Sequence, residues 1–257
     1  MTKIILSGAY GQMGLAVGKL AKRGENVNIV AGMDYGKTDE HFSFPVFNSM
    51  AEVPGDLLKA DAVVDFSGVS ALDSVIGFGL KNLTPLVICT TGLDVYQEET
   101  VKEAAKKIAV FKSANMSVGV SLLAGLAEKA ARLLYGAGFD VEIIEKHHNQ
   151  KIDAPSGTAL MLAQKVNAAA DGNLQNVFDR SCKKQKRGKN EIGIHALRGG
   201  TIVGEHSVIF AGADEIIELK HSALSREVFA AGALKAAEFI KNKPPGLYSM
   251  KELVDEA

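Results

Sequence analysis

The sequence predicts an α/β fold in two parts: an N-terminal parallel sheet covered by helices on both faces, then an α+β unit built on a mixed sheet. Three observations predict it. From residue 3 to residue 117, short apolar runs alternate with segments of helical periodicity, the pattern of parallel strands joined by helical crossovers. Beyond residue 117 longer strand-like runs are separated by short turns, which suits a mixed or antiparallel sheet with one open face. The 257 residues suffice for two buried cores rather than one.

The elements follow in order. KIILS at 3–7 is short and apolar enough for a buried strand, and GAYGQMG at 8–14 turns it into a helical segment that stops at Gly24. VNIVAGM at 27–33 is a second strand, ending at Asp34. Residues 35–60 read as irregular, with turns around Pro45 and Pro54. Strand and helix then alternate: 62–67, 70–82, 85–92 and 95–108, closing with a strand and its exit loop at 109–117. A helix over 118–135 leads to FDVEIIEKHH at 139–148, where Phe139, Val141 and Ile143 alternate as in a half-exposed strand. A polar loop at 149–156 precedes a helix over 157–170. Strands follow at 192–198, 204–212 and 214–222, and a last helix over 225–241 ends before Pro244-Pro245. Domains of 1–117 and 118–222 result; periodicity alone leaves open whether the final helix rejoins the first.

Composition narrows the classes of function. Net charge is −1, so no global basic field points to nucleic acid or to an anionic membrane. The one concentrated basic run, KKQKRGK at 183–189, reads as a solvated loop. Two cysteines, Cys89 and Cys182, make neither a disulfide framework nor a structural zinc site. No signal-peptide pattern precedes the first strand and no apolar run reaches the length of a membrane span, so the cytoplasm is the expected compartment.

Gly8, Gly11 and Gly14 follow an apolar strand and open a helix, a variant of the glycine fingerprint that cradles a dinucleotide pyrophosphate. Backbone amides at a helix N-terminus favour the anion, and a missing Cβ lets it approach; the alternative is a plain tight turn. Asp34, 20 residues beyond Gly14 at a strand end, suits the adenine-ribose hydroxyls and opposes a 2′-phosphate. Tyr35 stands where an arginine could hold that phosphate, while Lys37 keeps dual specificity open. The expected cofactor is NADH and/or NADPH, with NADH preferred or accepted. Cys89-Thr90-Thr91-Gly92 and Ser113-Ala114-Asn115-Met116 sit at the C-terminal ends of two predicted parallel strands, where such sheets bind ligands. Both loops could meet the nicotinamide half, or could equally serve as helix caps. Cys89 reads as a packed small residue rather than a nucleophile.

EKHHNQKIDAPSGTA at 145–159 is the most unusual stretch. His147, His148 and Lys151 supply titratable groups for proton transfer at neutral pH. Gly157 and Thr158 offer amides at a helix N-terminus, so the set fits a small dicarboxylate. The alternative is a polar loop capped by Ser156. Adjacent histidines on a strand point to opposite faces, which disfavours a metal. His195, His206 and His221 lie in strand patterns and read as sheet residues without an assigned role.

Six blocks now carry a resemblance: GAYGQMG, VDFS at 64–67, TTG at 90–92, SANMSVGV at 113–120, EKHHNQKIDAPSGTA, and GGTIVGEHSVIFAG at 199–212. In this order and over nearly the whole chain, they resemble the 4-hydroxy-tetrahydrodipicolinate reductase (dihydrodipicolinate reductase) family. The resemblance implies a Rossmann-type N-terminal domain completed by residues 223–257, around a substrate and tetramerisation domain. It implies a cytoplasmic homotetramer that binds neither nucleic acid nor membrane and reduces dehydrated 4-hydroxy-tetrahydrodipicolinate with NAD(P)H, in the diaminopimelate route to lysine. By motif position it assigns cofactor contacts to Gly8, Ala9, Tyr10, Gly11, Gln12, Met13, Asp34, Cys89, Thr90, Thr91, Ser113, Ala114, Asn115 and Met116. It gives His147 the role of proton donor or acceptor, Lys151 that of proton donor, and His148, Gly157 and Thr158 substrate contacts. Two departures bear on the cofactor: Gly68 and Tyr35 stand where arginines are common in the family, which weakens the case for NADPH. Cys89 stands where glycine or alanine is common. The rivals are another reductase of an amino-acid-like acid, and a dinucleotide sensor without turnover.

Overall fold

The structure is a computed structural model describing residues 1–24, 26–36, 42–55, 57, 59–178, 180–181 and 184–256. Lys37, Cys182 and Lys183 lie outside the described residues. The chain divides into two compact units, Met1–Val118 with Arg226–Ala257, and Gly119–Ser225.

The elements run β1 (Thr2–Ser7), α1 (Gln12–Arg23), β2 (Val27–Met33), β3 (Val46–Phe47), β4 (Ala62–Asp65), α2 (Leu72–Asn82), β5 (Leu86–Ile88), α3 (Val95–Ala105) and β6 (Ala109–Lys112). They continue with α4 (Val118–Leu134), β7 (Asp140–His147), α5 (Gly157–Ala169), β8 (Gln175–Val177), β9 (Glu191–Arg198), β10 (Gly204–Ala211) and β11 (Ile216–Ala223). α6 (Glu227–Ile240), β12 (Gly246–Tyr248) and α7 (Met250–Asp255) close the chain.

In the first unit seven strands form one parallel sheet in the order β12-β6-β5-β4-β1-β2-β3. Side chains alternate across the strands. Ile4 and Leu6 of β1 pack with α1, α6 and α7, whereas Ile5 packs with α2 and α3. Both faces are therefore covered, and β1 and β4 read as near-continuous apolar runs because each face meets a helix layer. From β1 the chain goes first to β2 on one side and later to β4 on the other. That reversal opens a crevice at the carboxyl ends of the strands.

In the second unit the order is β11-β10-β7-β9-β8, with β10 antiparallel to β7 and β11, and β9 parallel to β7 and β8. α4 and α5 cover one face, burying Val141 and Ile143 of β7, Ile192 and Ile194 of β9, and Val208 and Phe210 of β10. On the other side Ile216 and Leu197 are exposed. The mixed sheet with one open face is as the sequence predicts.

Four short elements are not foreseen: β3, β8, β12 and α7. Two or three residues are too few to show a period of two, so these strands exist by pairing with an established edge. The basic run 183–189 also needs correcting at one position. Arg187 is largely buried and donates to Asp140, Glu142 and three backbone carbonyls, stapling its loop to the ends of β7 and β9. His195 shares that staple through Glu142, its Nε2 2.8 Å from Oε2.

Candidate active site

The first unit carries a glycine turn between β1 and α1 at the crevice. Gly8 has φ +79°, and a Cβ there would lie 2.7 Å from the backbone of Phe66. A Cβ on Gly14 would lie 2.1 Å from the carbonyl oxygen of Gly8. Two of the three glycines are thus required by close approach of backbone, not only by a turn. No side chain caps α1 and no acid lies in its first turn, so the positive end of the helix dipole faces outward beside Gly11, Gln12 and Met13. Asp34 sits at the end of β2, where its two oxygens accept from the N–H groups of Tyr10 and Gly36 at 2.8 and 2.9 Å. Each oxygen retains lone pairs for a further donor. Ala9 is buried beneath the turn, and its N–H donates to the carbonyl of Met33.

A cavity of about 350 Å³ opens beside this turn. Its lining brings together Met13, Cys89, Thr90, Thr91, Ala114, Asn115 and Met116, all read from sequence as cofactor contacts. Phe66, Ser67 and Phe229 also line it and were not read so. Ser113 holds its loop instead, its hydroxyl donating to the carbonyl of Asn115 at 2.7 Å. The edge is tied together by Asp65, which is fully buried. Its Oδ1 accepts from the Ser67 hydroxyl at 2.5 Å, and its Oδ2 accepts from the Thr90 hydroxyl at 2.6 Å. Cys89 is buried against it. Burial, with the nearby Asp65, pushes the thiol well above its ordinary value, which keeps it protonated at neutral pH and suits the packed small residue read from sequence.

The second unit gathers the HHxxK loop at the end of β7. Glu145 is fully buried and has four nitrogen partners. Arg198 forks onto it through Nη1 and Nη2 at 2.8 and 2.7 Å, the N–H of Ser156 meets Oε1 at 3.0 Å, and His147 Nδ1 lies 2.6 Å from Oε2. Burial would raise the Glu145 carboxyl, but Arg198, His147 and Ser156 outweigh it and hold it below its ordinary value. Burial pulls the His147 imidazole down; Glu145 opposes this, while Lys151 and Arg198 add to it. The Lys151 ammonium is held 2.7 Å from Asp153 Oδ1. Ser156 caps α5 by accepting from the N–H of Ala159 at 3.2 Å. Gly157 and Thr158 form the first turn behind that cap, and His148 is half-buried at the loop's start.

Sequence reasoning left His206 without a role. It is buried on β10, its Nε2 is 3.0 Å from the Ser156 hydroxyl, and its ring lies 5.2 Å from that of His147. Burial, with His147 adding to it, pulls its pKa from 6.5 to about 4, so it is neutral at neutral pH. Glu145, Arg198 and His206 stand on three different strands, and only the register of β7, β9 and β10 brings them together. Among the described residues, no group of three or more His, Cys, Asp or Glu side chains could hold a metal ion, and no helix is long and apolar enough to cross a membrane.

A parallel sheet with a glycine cradle, joined to a unit bearing a histidine–lysine loop, defines a pyridine-nucleotide-dependent reductase. Comparison with known proteins gives the family. The model of the N-terminal part of dihydrodipicolinate reductase matches residues 2–116, and that of its C-terminal part matches residues 119–254. A 4-hydroxy-tetrahydrodipicolinate reductase from Caldanaerobacter subterraneus subsp. tengcongensis is 49% identical over 254 residues, covering 99% of this chain and 98% of that protein. One from Clostridium novyi is 49% identical over 255 residues, with the same coverage. A solved dihydrodipicolinate reductase from Paenisporosarcina sp. TG-14, bound to dipicolinate, shares the fold with a TM-score of 0.81 at 24% identity, covering 97% of each chain. The chain belongs to the dihydrodipicolinate reductase family.

Proposed function

We propose that the chain reduces dehydrated 4-hydroxy-tetrahydrodipicolinate to tetrahydrodipicolinate with a reduced nicotinamide dinucleotide, as a step of the diaminopimelate route to lysine. The observation that carries this reading is the loop from His147 to Thr158, which holds an ammonium, two imidazoles and a helix N-terminus in a chain matched along nearly its whole length by one reductase family. The substrate is a dicarboxylate, and the solved relative is a dipicolinate complex.

The turn residues fit a dinucleotide: Gly8 and Gly14 let β1, the turn and α1 pack backbone against backbone, and the start of α1 carries no side-chain cap that would compete with a pyrophosphate. Amides of Gly11, Gln12 and Met13 at the start of α1 hold the pyrophosphate, and Asp34 accepts from the ribose hydroxyls. Ala9 and Tyr10 complete the turn. Thr90, Thr91, Ala114, Asn115 and Met116 hold the nicotinamide half, Cys89 and Ser113 serving through backbone and loop shape. When bound, the cofactor supplies the hydride. His148 and the amides of Gly157 and Thr158 bind the substrate carboxylates, Lys151 donates a proton from Nζ, and His147 takes part in the proton balance. NADH is the preferred or an accepted cofactor: Asp34 repels a 2′-phosphate, and neither Tyr35 nor Gly68 supplies a cation for one. The chain acts in the cytoplasm as a homotetramer, the exposed apolar residues on the open face of the mixed sheet supporting contact between copies.

The test supplies the condensation product of pyruvate and aspartate semialdehyde and follows oxidation of NADH and NADPH separately. Turnover is expected with NADH, and Lys151→Ala and His147→Ala are expected to lose most of it. Dinucleotide binding without turnover would leave a sensor; unchanged turnover in both variants would overturn the site.

A further inference from the structure

We propose that Glu145, clamped by Arg198, is a positioning residue that fixes the His147 imidazole with its proton on Nδ1 and a lone pair on Nε2. The inference rests on the functional reading above and extends it to residues that reading leaves without a role.

The argument is one of donors and acceptors. Arg198 carries only donors and is always charged. It forks onto both oxygens of Glu145 at 2.8 and 2.7 Å, and the Ser156 N–H adds a third donor at 3.0 Å. A fully buried carboxyl group meeting three donors is an anion that only accepts. His147 Nδ1 lies 2.6 Å from Oε2. It must therefore donate, so in the neutral ring Nε2 carries the lone pair. The backbone keeps that nitrogen open. A Cβ on Gly204 would stand 3.1 Å from Nε2, tighter than ordinary contact, so a side chain at this position of β10 would press on it.

The same pair reaches the rest of the site. Arg198 Nη2 also donates to the carbonyl of Asp153 at 2.6 Å, and the Asp153 side chain holds Lys151. Ser156, whose N–H binds Glu145, is the cap of α5. One ion pair, its carboxylate fully buried, thus sets an acceptor at His147 and steadies both the ammonium at Lys151 and the helix start at Gly157. The charged and titratable groups facing His147 are Glu145 on its own strand, Arg198 on β9, His206 on β10 and Lys151 on the loop.

The test is ¹⁵N NMR of histidine-labelled wild-type protein, above the pH at which His147 titrates, beside Glu145→Gln. In wild type Nε2 of His147 is expected to be pyridine-like and Nδ1 pyrrole-like; the reverse would overturn the proposal, whatever the variant does. In Glu145→Gln the Nε2–H form should grow in. With it kcat should fall by at least about tenfold, since the roughly 10- to 100-fold loss on removing the partner that orients a metal-bound imidazole sets the lower scale, with the KM for NADH unchanged. The acid limb of kcat/KM should move to lower pH, because the anion that favours the imidazolium is gone. A uniform loss with neither tautomer nor limb altered would reduce Glu145 to a structural role. Because the spectrum needs no substrate, an inactive wild type would defeat the functional reading while the tautomer is still read directly.

Discussion

Replacing His206 by Gln should flatten the acid dependence of stability. The native protein holds His206 neutral, buried and bonded to Ser156, with its pKa pulled from 6.5 to about 4. The unfolded chain binds the proton more readily, so between those values stability rises with pH. The contribution is complete above the unfolded value and is lost as pH falls toward the folded one, reaching about 3 kcal/mol in full. Between pH 7.5 and 5.5 the same relation gives about 1.3 kcal/mol. Gln can keep a hydrogen bond to the Ser156 hydroxyl but does not titrate. The assay is urea denaturation of both proteins, followed by circular dichroism, at about pH 7.5 and 5.5. Groups distant from His206 titrate alike in both chains and cancel in the double difference; Glu145 and Asp153, held below their ordinary values, stay largely ionised over this interval. Wild type should lose about 1.3 kcal/mol more than the variant over this interval. Parallel losses would mean that His206 charges freely in the folded state and would refute the burial argument.

Further outcomes follow from single contacts in the first unit. Asp65→Asn should raise the KM for NADH several-fold, and cost about 1–2 kcal/mol, because Ser67 and Thr90 donate to different carboxylate oxygens and an amide turns one of these into a donor; steady-state kinetics and thermal melts check it, and the KM for the acid substrate should stay put. Gly232→Ala should destabilise by about 1–3 kcal/mol although alanine ordinarily favours a helix, since its Cβ would fall 1.6 Å from the carbonyl oxygen of Met116; melting temperature and NADH titration read the displaced loop. Asp34→Ala should raise the KM for NADH roughly tenfold while leaving that for NADPH the same or lower, and kinetics with both cofactors decide it.

What the sequence shows and what it hides divide by distance along the chain. The strand–glycine–helix–strand–acid run at 3–34 is local, so its fold and the turn proposed to cradle the cofactor are legible together. The same holds for the loop from His147 to Thr158, where proximity in sequence already implies a shared site. The alternation of Val141 and Ile143 likewise reports which face of β7 is covered. Periodicity reports burial and not partners. It places His206 on a strand without revealing that a hydroxyl 50 residues away receives its ring.

The hidden residues share a physical character: each is a buried polar group whose partner arrives through strand register. Glu145 and Arg198 lie 53 residues apart, and Asp65 and Thr90 lie 25 apart. An isolated buried carboxylate costs too much to survive, so finding Glu145 or Asp65 fully buried demands that donors be found elsewhere in the chain. In both units those donors include or adjoin residues that the sequence did mark as functional: Thr90 at the cavity, His147 at the loop. The legible motifs thus name the groups proposed to meet ligands. The illegible ones are the buried carboxylates that hold those groups in place, and breaking one should move chemistry before it moves the fold.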